Sequence, residues 1–300
     1  MNLFDSLVRH GMPMVPKPIV GRVASRYVAG ESLDDAVRTI RQLNDEGAMT
    51  TVDVLGEEVS EPDKAEAAVA EYIRLLDRIE AEGLDANISI KPTLVGLKID
   101  EALCAKHVDA IAAHAARSSN FVRIDMEDHT CTDGTLRVYR EVLAGRGNVG
   151  IVLQAYMRRT VADINDLLPL SPNVRICKGI YREPRTVAWK LFETVRSSFI
   201  YAMEKLLSNR CYVGIATHDP HLVWAGVRAV DRMDIERDRY EFQMLLGVDP
   251  ELRRIILDEG HRLRVYVPYG HDWYPYSMRR LRENPTVARH VMRAMLSSNP

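Results

Sequence analysis

Lys91, Asp125 with Glu127, Gln154, Arg175 with Lys178, Thr217 with His218, Gln243, and Tyr269 with His271 share one kind of position. Each stands at or just past the end of a short run rich in β-branched or aromatic residues. If those runs are parallel strands, their C-terminal ends are where an α/β protein assembles its active site. One strand-ending lysine or glutamine is an ordinary loop residue; agreement among so many strand ends argues for a common pocket. A further pair, Arg279 and Arg280, follows the last run in DWYPYSMRRLRE, with Glu283 three residues beyond Arg280. Such a doublet can grip a carboxylate bidentately. Arg158-Arg159 and Arg253-Arg254 lack that position and are expected to face solvent.

Strand alternation puts Arg123, Asp125 and Glu127 on one face and Val122, Ile124 and Met126 on the other. Three ionisable groups inside a barrel would be costly unless paired, so they either form an internal network reaching the pocket or neutralise one another. GRGNVG at 145–150 has the spacing GxGxxG, but it precedes a strand instead of joining a strand to a helix, and reads as a turn. His218 and His221 in THDPH have no HxH or HExxH beside them, so no metal site is expected. There is no GxSxG nucleophile motif.

The elements that must position these residues alternate. Eight runs read as buried strands: TTVDVL (50–55), NISIK (87–91), FVRIDM (121–126), GIVLQAY (150–156), VRICK (174–178), YVGIAT (212–217), YEFQML (240–245) and LRVYVP (263–268). Between them lie segments with helical apolar spacing, such as Ala67, Ala70, Ile73, Leu76 and Ile79, or Leu103, Val108, Ile111 and Ala115. Eight strand–helix repeats without a long linker fit a closed (β/α)8 barrel of the TIM type better than an open sheet with a second domain. The whole chain, 1–300, therefore reads as one domain: a helical segment to 48, the barrel over 49–275 and closing helices over 276–300. LDDAVRTIRQLNDEG, before the first strand, reads as an extra helix covering the barrel bottom.

Composition narrows the function classes. Hydrophobic residues make up 46% and charged residues 27% of 300, the balance of a soluble globular protein. Forty basic against forty-two acidic residues leave a net charge of −2, so no global field recruits nucleic acid, and none is expected as a partner. The cysteines Cys104, Cys131, Cys177 and Cys211 form no CxxC pair and are too sparse for a disulfide framework, which points to a reducing cytoplasm. The first twenty residues lack the basic start and unbroken apolar stretch of a secretion signal. No window approaches the roughly 18 apolar residues of a membrane span, so any membrane contact is peripheral.

Taken together, ISIKPTLVGL, VRIDMEDH, VLQAYMRR, VRICKGIYREP, IATHDP, YEFQMLLGV and LRVYVPYGHDWYPYSMRRL closely resemble, in order and spacing, the proline dehydrogenases. The resemblance runs from Val52 to Glu283. It implies a β/α barrel holding FAD without a covalent bond, oxidation of L-proline to Δ1-pyrroline-5-carboxylate, and passage of electrons to a quinone on the inner face of a membrane. By the same resemblance Arg279 and Arg280 look like the carboxylate-binding pair and Lys91 like the cation assisting them. Asp125 is similar to the acid that positions an arginine, and Tyr181 and Tyr276 to walls of the proline pocket. Gln154, Arg175, Lys178, Gly179, Thr217, His218 and Glu283 look like flavin contacts.

Two departures qualify that picture. Ile180 stands where the family more often has Ala, adding bulk beside the expected cofactor site, and the Ser277-Met278 pair before the arginines is variable. A related cyclic imino acid such as hydroxyproline is therefore an alternative substrate. A mechanistically different alternative is a Schiff-base aldolase using Lys91 or Lys178, which would need a lysine of depressed pKa in a dry pocket.

Overall fold

A computed structural model describes residues 25–278, apart from 57 and 275. Eight parallel strands, each paired with the next and β8 with β1, close a barrel. They are β1 (Met49–Val54), β2 (Ala86–Ile90), β3 (Val122–Ile124), β4 (Val149–Gln154), β5 (Asn173–Cys177), β6 (Tyr212–Ala216), β7 (Tyr240–Leu245) and β8 (Leu263–Tyr269). All eight expected strands are present, with shifted ends. The largest difference is β3, three residues long where six were expected, because the chain leaves the sheet from Asp125 onward.

Around the strands run α1 (Leu33–Asp45), α2 (Pro62–Ala81), α3 (Glu101–Arg117), α4 (Thr132–Gly145), α5 (Thr160–Leu167), α6 (Phe192–Ser208), α7 (Pro220–Arg232) and α8 (Pro250–Asp258). α1 begins at a capping box, Ser32 with Asp35, and buries Ala36, Val37, Ile40 and Leu43. Contrary to the sequence expectation, it does not close the bottom. It packs along the outside of β8 and β1, where its apolar stripe completes the outer ring of helices. The face of α2 also differs: Ala65, Ala68, Tyr72, Leu75, Leu76 and Ile79 are buried, whereas Ala67 and Ala70 are exposed. Tyr72 has more area to bury than an alanine, so it sets the helix rotation. GRGNVG forms the end of α4 and a turn into β4.

Outward strand residues such as Val52, Ile88, Ile124, Ile151, Val174, Ile215 and Phe242 join the helices in one apolar core. The inward face is different: it carries charge where branched apolar layers are usual. In its lower part Glu241 accepts from Arg264 Nε at 2.8 Å, Tyr212 OH at 2.7 Å and Gln243 Nε2 at 2.6 Å. Burial alone would raise the Glu241 pKa, but these partners take it down to about 2. Arg123 also points inward, yet without an acid: it donates to the Ile151 and Asn173 carbonyls and the Asn173 side chain. Burial lowers its pKa to about 9. Glycines make the room, since a Cβ on Gly150 would overlap the Arg123 guanidinium and one on Gly214 would lie 2.6 Å from Gln243 Nε2.

No helix among the described residues is long and apolar enough to cross a membrane. Cys104, Cys131, Cys177 and Cys211 form no disulfide with one another.

Candidate active site

A cavity of about 570 Å³ opens at the C-terminal ends of the strands. Most of the residues singled out from sequence line it: Lys91, Asp125, Glu127, Gln154, Arg175, Lys178, Gly179, Ile180, Tyr181, Thr217, His218, Gln243 and Tyr276. Arg279, Arg280 and Glu283 lie outside the described residues. Tyr269 and His271 do not join the group: Tyr269 OH donates to Glu71 at 2.7 Å, and His271 is exposed, near Glu31. Tyr269 falls out because alternation along β8 sends Arg264 and Tyr266 inward and Tyr269 outward.

The floor of the cavity is a chain of buried polar groups. Asp125 Oδ1 accepts from Ser89 Oγ at 2.6 Å and from Arg175 Nη1 at 2.7 Å, while Oδ2 accepts from Tyr266 OH at 2.9 Å. Arg175 Nη1 also donates to Ser89 Oγ at 3.1 Å, and Nε to Gln243 Oε1 at 2.5 Å. Through Gln243 this chain continues to Glu241 and the lower ion pair. Arg175 Nη2 is buried and has no hydrogen-bond partner among the described residues. A guanidinium fixed on two of its nitrogens, with the third unsatisfied in a cavity wall, is a donor awaiting an acceptor. Burial first, then the nearby carboxylates of Asp125 and Asp53, push the Tyr266 pKa up, so its hydroxyl stays a donor.

Lys91 sits beside this network, and Nζ donates to both oxygens of Asp53 at 2.5 Å. Desolvation alone would depress the ammonium pKa; the carboxylates of Asp53 and Asp125 outweigh it and the pKa is raised. A charged, ion-paired lysine is the opposite of what Schiff-base chemistry needs, which removes the aldolase alternative at Lys91. Asp53 was missed from sequence. The signal was there, as it alternates with Thr51 on the inward face of β1, but it stands before the end of the run.

Glu127, the third of the inward ionisable residues, is not paired with Arg123. It accepts from Thr93 N at 2.9 Å and Thr93 Oγ1 at 2.6 Å, and burial raises its pKa. Its carbonyl accepts from Gln154 Nε2 at 2.8 Å. The idea that Arg123, Asp125 and Glu127 only neutralise one another is thus wrong. Each takes different partners, because rows of side chains at different depths in a barrel cannot reach one another.

At another part of the wall, Asp219 ties two cations to the start of α7. It caps the helix by accepting from His221 N at 3.2 Å, receives Arg196 bidentately at 2.8 and 2.9 Å, and takes Lys178 Nζ at 3.3 Å. Phe192 lies under both cations, 5.0 Å from Lys178 Nζ and 4.3 Å from the Arg196 guanidinium. Arg196 Nη1 also meets Glu193 at 3.2 Å, but that carboxylate is solvent-exposed and screened, so Lys178 and Arg196 share one buried carboxylate and remain able to meet an anion. Arg196, in the middle of no strand end, gave no sequence signal.

Loop residues hold fixed places. Thr217 Oγ1 accepts from Asp219 N at 3.1 Å, and His218 Nε2 accepts from Leu245 N at 2.7 Å. His218 is therefore used as an acceptor joining the β6 and β7 ends. Gly179 adopts φ +105°, and a Cβ there would overlap the Tyr156 ring. Buried Glu183 accepts from His129 N at 2.9 Å and contacts His129 Nδ1, which couples the loop after β3 to the loop bearing Tyr181.

Comparison with known proteins fits this arrangement. Residues 36–293 match the family described as "Proline dehydrogenase". Proline dehydrogenase 1 of Bacillus subtilis subsp. natto is 36% identical over 273 residues, spanning 91% of this chain and 90% of the relative. The proline dehydrogenase of Deinococcus radiodurans is 37% identical over 279 residues, with the same coverage. Among solved structures, proline utilization A (PutA) from Bdellovibrio bacteriovorus, inactivated by N-propargylglycine, superposes with a TM-score of 0.80 at 22% identity, covering 86% of this chain. The chain spans only 32% of the length of that PutA, so this likeness concerns the barrel. With the family match running through the whole barrel and its cavity-lining residues, the chain belongs to the proline dehydrogenase family.

Proposed function

We propose that this chain oxidises L-proline to Δ1-pyrroline-5-carboxylate with FAD as its cofactor, and that the electrons pass to a quinone at the inner face of a membrane. The observation that carries this reading is the buried, singly unsatisfied guanidinium of Arg175 in a cavity otherwise ringed by the residues of the resemblance. Bound in this cavity, FAD would supply a two-electron acceptor able to take a hydride from the ring carbon beside the proline nitrogen.

The residues present fit such a group. Arg175 offers Nη2 to an acceptor edge, held in orientation by Asp125 and Gln243. Lys178 and Arg196 would meet the anionic pyrophosphate, since their one buried partner is Asp219 and the contact of Arg196 with Glu193 is solvent-exposed. Gln154, Gly179, Thr217 and His218 line the same cavity, and Glu283 completes the set by resemblance. On the substrate side, Arg279 and Arg280 would fix the carboxylate, with Lys91 as a neighbouring cation and Tyr181 and Tyr276 as walls. Holding the carboxylate orients the ring, a contribution worth several kcal/mol of barrier in favourable cases, on the order of the entropy of positioning. The amine must be neutral to release electron density, and two arginines near the carboxylate oppose a protonated amine.

An absorption spectrum tests the reading. Purified protein loaded with flavin should be yellow and bleach anaerobically on addition of L-proline. Fully loaded protein that stays yellow would rule out proline as substrate; bleaching by hydroxyproline alone would select the alternative imino acid.

A further inference from the structure

Four of the eight large hydrophobics exposed among the described residues lie between positions 180 and 192: Ile180 (39%), Trp189 (37%), Leu191 (72%) and Phe192 (53%). Two of them, Ile180 and Phe192, also line the cavity, so this apolar surface borders the mouth of the site. Its rim is basic. Arg182, Arg185 and Lys190 are exposed in the same stretch, whereas its only acid, Glu183, is buried and paired with His129. Arg158, from the loop after β4, stacks over Trp189 with its guanidinium 3.8 Å from the ring centroid and donates to the Arg185 carbonyl. The nearest acid beyond, Glu193, is engaged with Arg196 at 3.2 Å.

The segment is also held in shape. Met157 and Ala188 form a β-bridge, Arg158 N donates to the Val187 carbonyl at 2.9 Å, and Trp189 N donates to the Tyr156 carbonyl at 2.7 Å. Exposed apolar side chains on an ordered scaffold mark an interaction surface rather than a frayed loop. The combination of a tryptophan, a leucine tip and four basic side chains, Arg158, Arg182, Arg185 and Lys190, against one exposed acid at its end, Glu193, fits one partner chemistry, the headgroup region of an anionic bilayer. On a chain of net charge −2, this local basic excess is not a by-product of composition.

We propose that the 180–192 segment is a membrane-docking surface: Leu191 and Trp189 enter the interface, Arg182, Arg185, Lys190 and Arg158 meet anionic lipid, and Ile180 and Phe192 stay at the cavity mouth they line. Docking there turns the mouth of the cavity toward the bilayer. The use of that orientation rests on the quinone reading above, but lipid binding does not.

The test is flotation of flavin-loaded protein with phosphatidylcholine vesicles made with and without phosphatidylglycerol, at low and high salt. Binding is expected on the anionic vesicles and should weaken with salt. Leu191→Glu and Arg185→Glu should each reduce the partition coefficient about tenfold, a size in keeping with one buried side chain or one reversed charge at the interface. Proline oxidation with a soluble dye acceptor should be unchanged in both, because neither residue lines the cavity. Equal binding by the variants and the wild type, or no binding to anionic vesicles, would overturn the proposal. So would light scattering that showed the surface joining two copies of the chain without lipid affinity. Loss of dye-coupled turnover in the wild type would instead count against proline oxidation, leaving the lipid result to stand by itself.

Discussion

Replacing Asp53 with Asn isolates the energetics of the barrel interior. The side chain has no exposed surface, and its two oxygens take both observed hydrogen bonds of Lys91, itself 7% exposed. The substitution keeps the volume, retains one acceptor and removes the charge. Lys91 is left as an uncompensated buried ammonium, for which breaking a pair costs about 3–5 kcal/mol. At about 2–4 °C per kcal/mol for a domain of this general size, the melting temperature should fall by roughly 6–20 °C.

The working pH matters little over the neutral range. The Lys91 pKa lies above its ordinary 10.5 in the folded state, so on the alkaline side the pair's contribution is complete below that value and lost as pH rises through the folded pKa; on the acid side burial raises the Asp53 pKa, and the pair is lost as that carboxylate takes up a proton. Urea unfolding at neutral pH, checked against calorimetry, gives the difference. The decisive comparison is the double variant Asp53→Asn with Lys91→Met, which removes the stranded charge and should recover part of the loss. A single Asp53→Asn variant within about 1 kcal/mol of wild type would refute the reasoning. So would a double variant no better than the sum of the two single ones.

Three further outcomes follow from other parts of the structure. Glu241→Gln should cost about 3 kcal/mol at neutral pH, from a folded pKa of about 2 against 4.5 unfolded; because that pKa is depressed, the difference from wild type should close as pH falls from 4.5 toward 2, read from urea midpoints. Gly179→Ala forces a Cβ into the Tyr156 ring at φ +105°, and should lower the ratio of flavin to protein absorbance while costing about 1–3 kcal/mol of stability. Arg279→Met and Arg280→Met should each raise the proline KM by about tenfold or more, with unfolding midpoints nearly unchanged; wild-type kinetics in both would remove the pair from the site.

The barrel was legible because each strand is a compact β-branched run and each intervening segment carries a helical apolar stripe; two independent periodicities agreed eight times. The cavity was legible for a related reason, as polar residues ending those runs have nowhere to go but the C-terminal rim. What escaped were features set by tertiary contact. Asp53 is an inward residue inside an otherwise ordinary strand, and its partner Lys91 comes 38 positions later. Arg196 reaches the cavity from the first turns of α6 only because Asp219 holds it. The placement of α1 against β8 and β1 depends on a gap in the outer ring of helices, and no local pattern records that gap. The surface from Ile180 to Phe192 has the composition of a loop interrupted by hydrophobics, and only coordinates tell which of these are exposed.

The glycines at 150 and 214 have an evolutionary corollary. Each gives up its own volume to a long side chain from a neighbouring position, Arg123 in one case and Gln243 in the other. A methyl group at 150 cannot be tolerated while the guanidinium fills that space, and the guanidinium could be shortened first only by abandoning two carbonyls and an asparagine in a dry interior. Such positions change together or stay as they are. Relatives that bear a larger residue at 150 should therefore have changed Arg123 and Phe121 together and shifted the backbone at 173, since the Phe121 ring and the Asn173 carbonyl would lie 2.6 and 2.7 Å from the same Cβ.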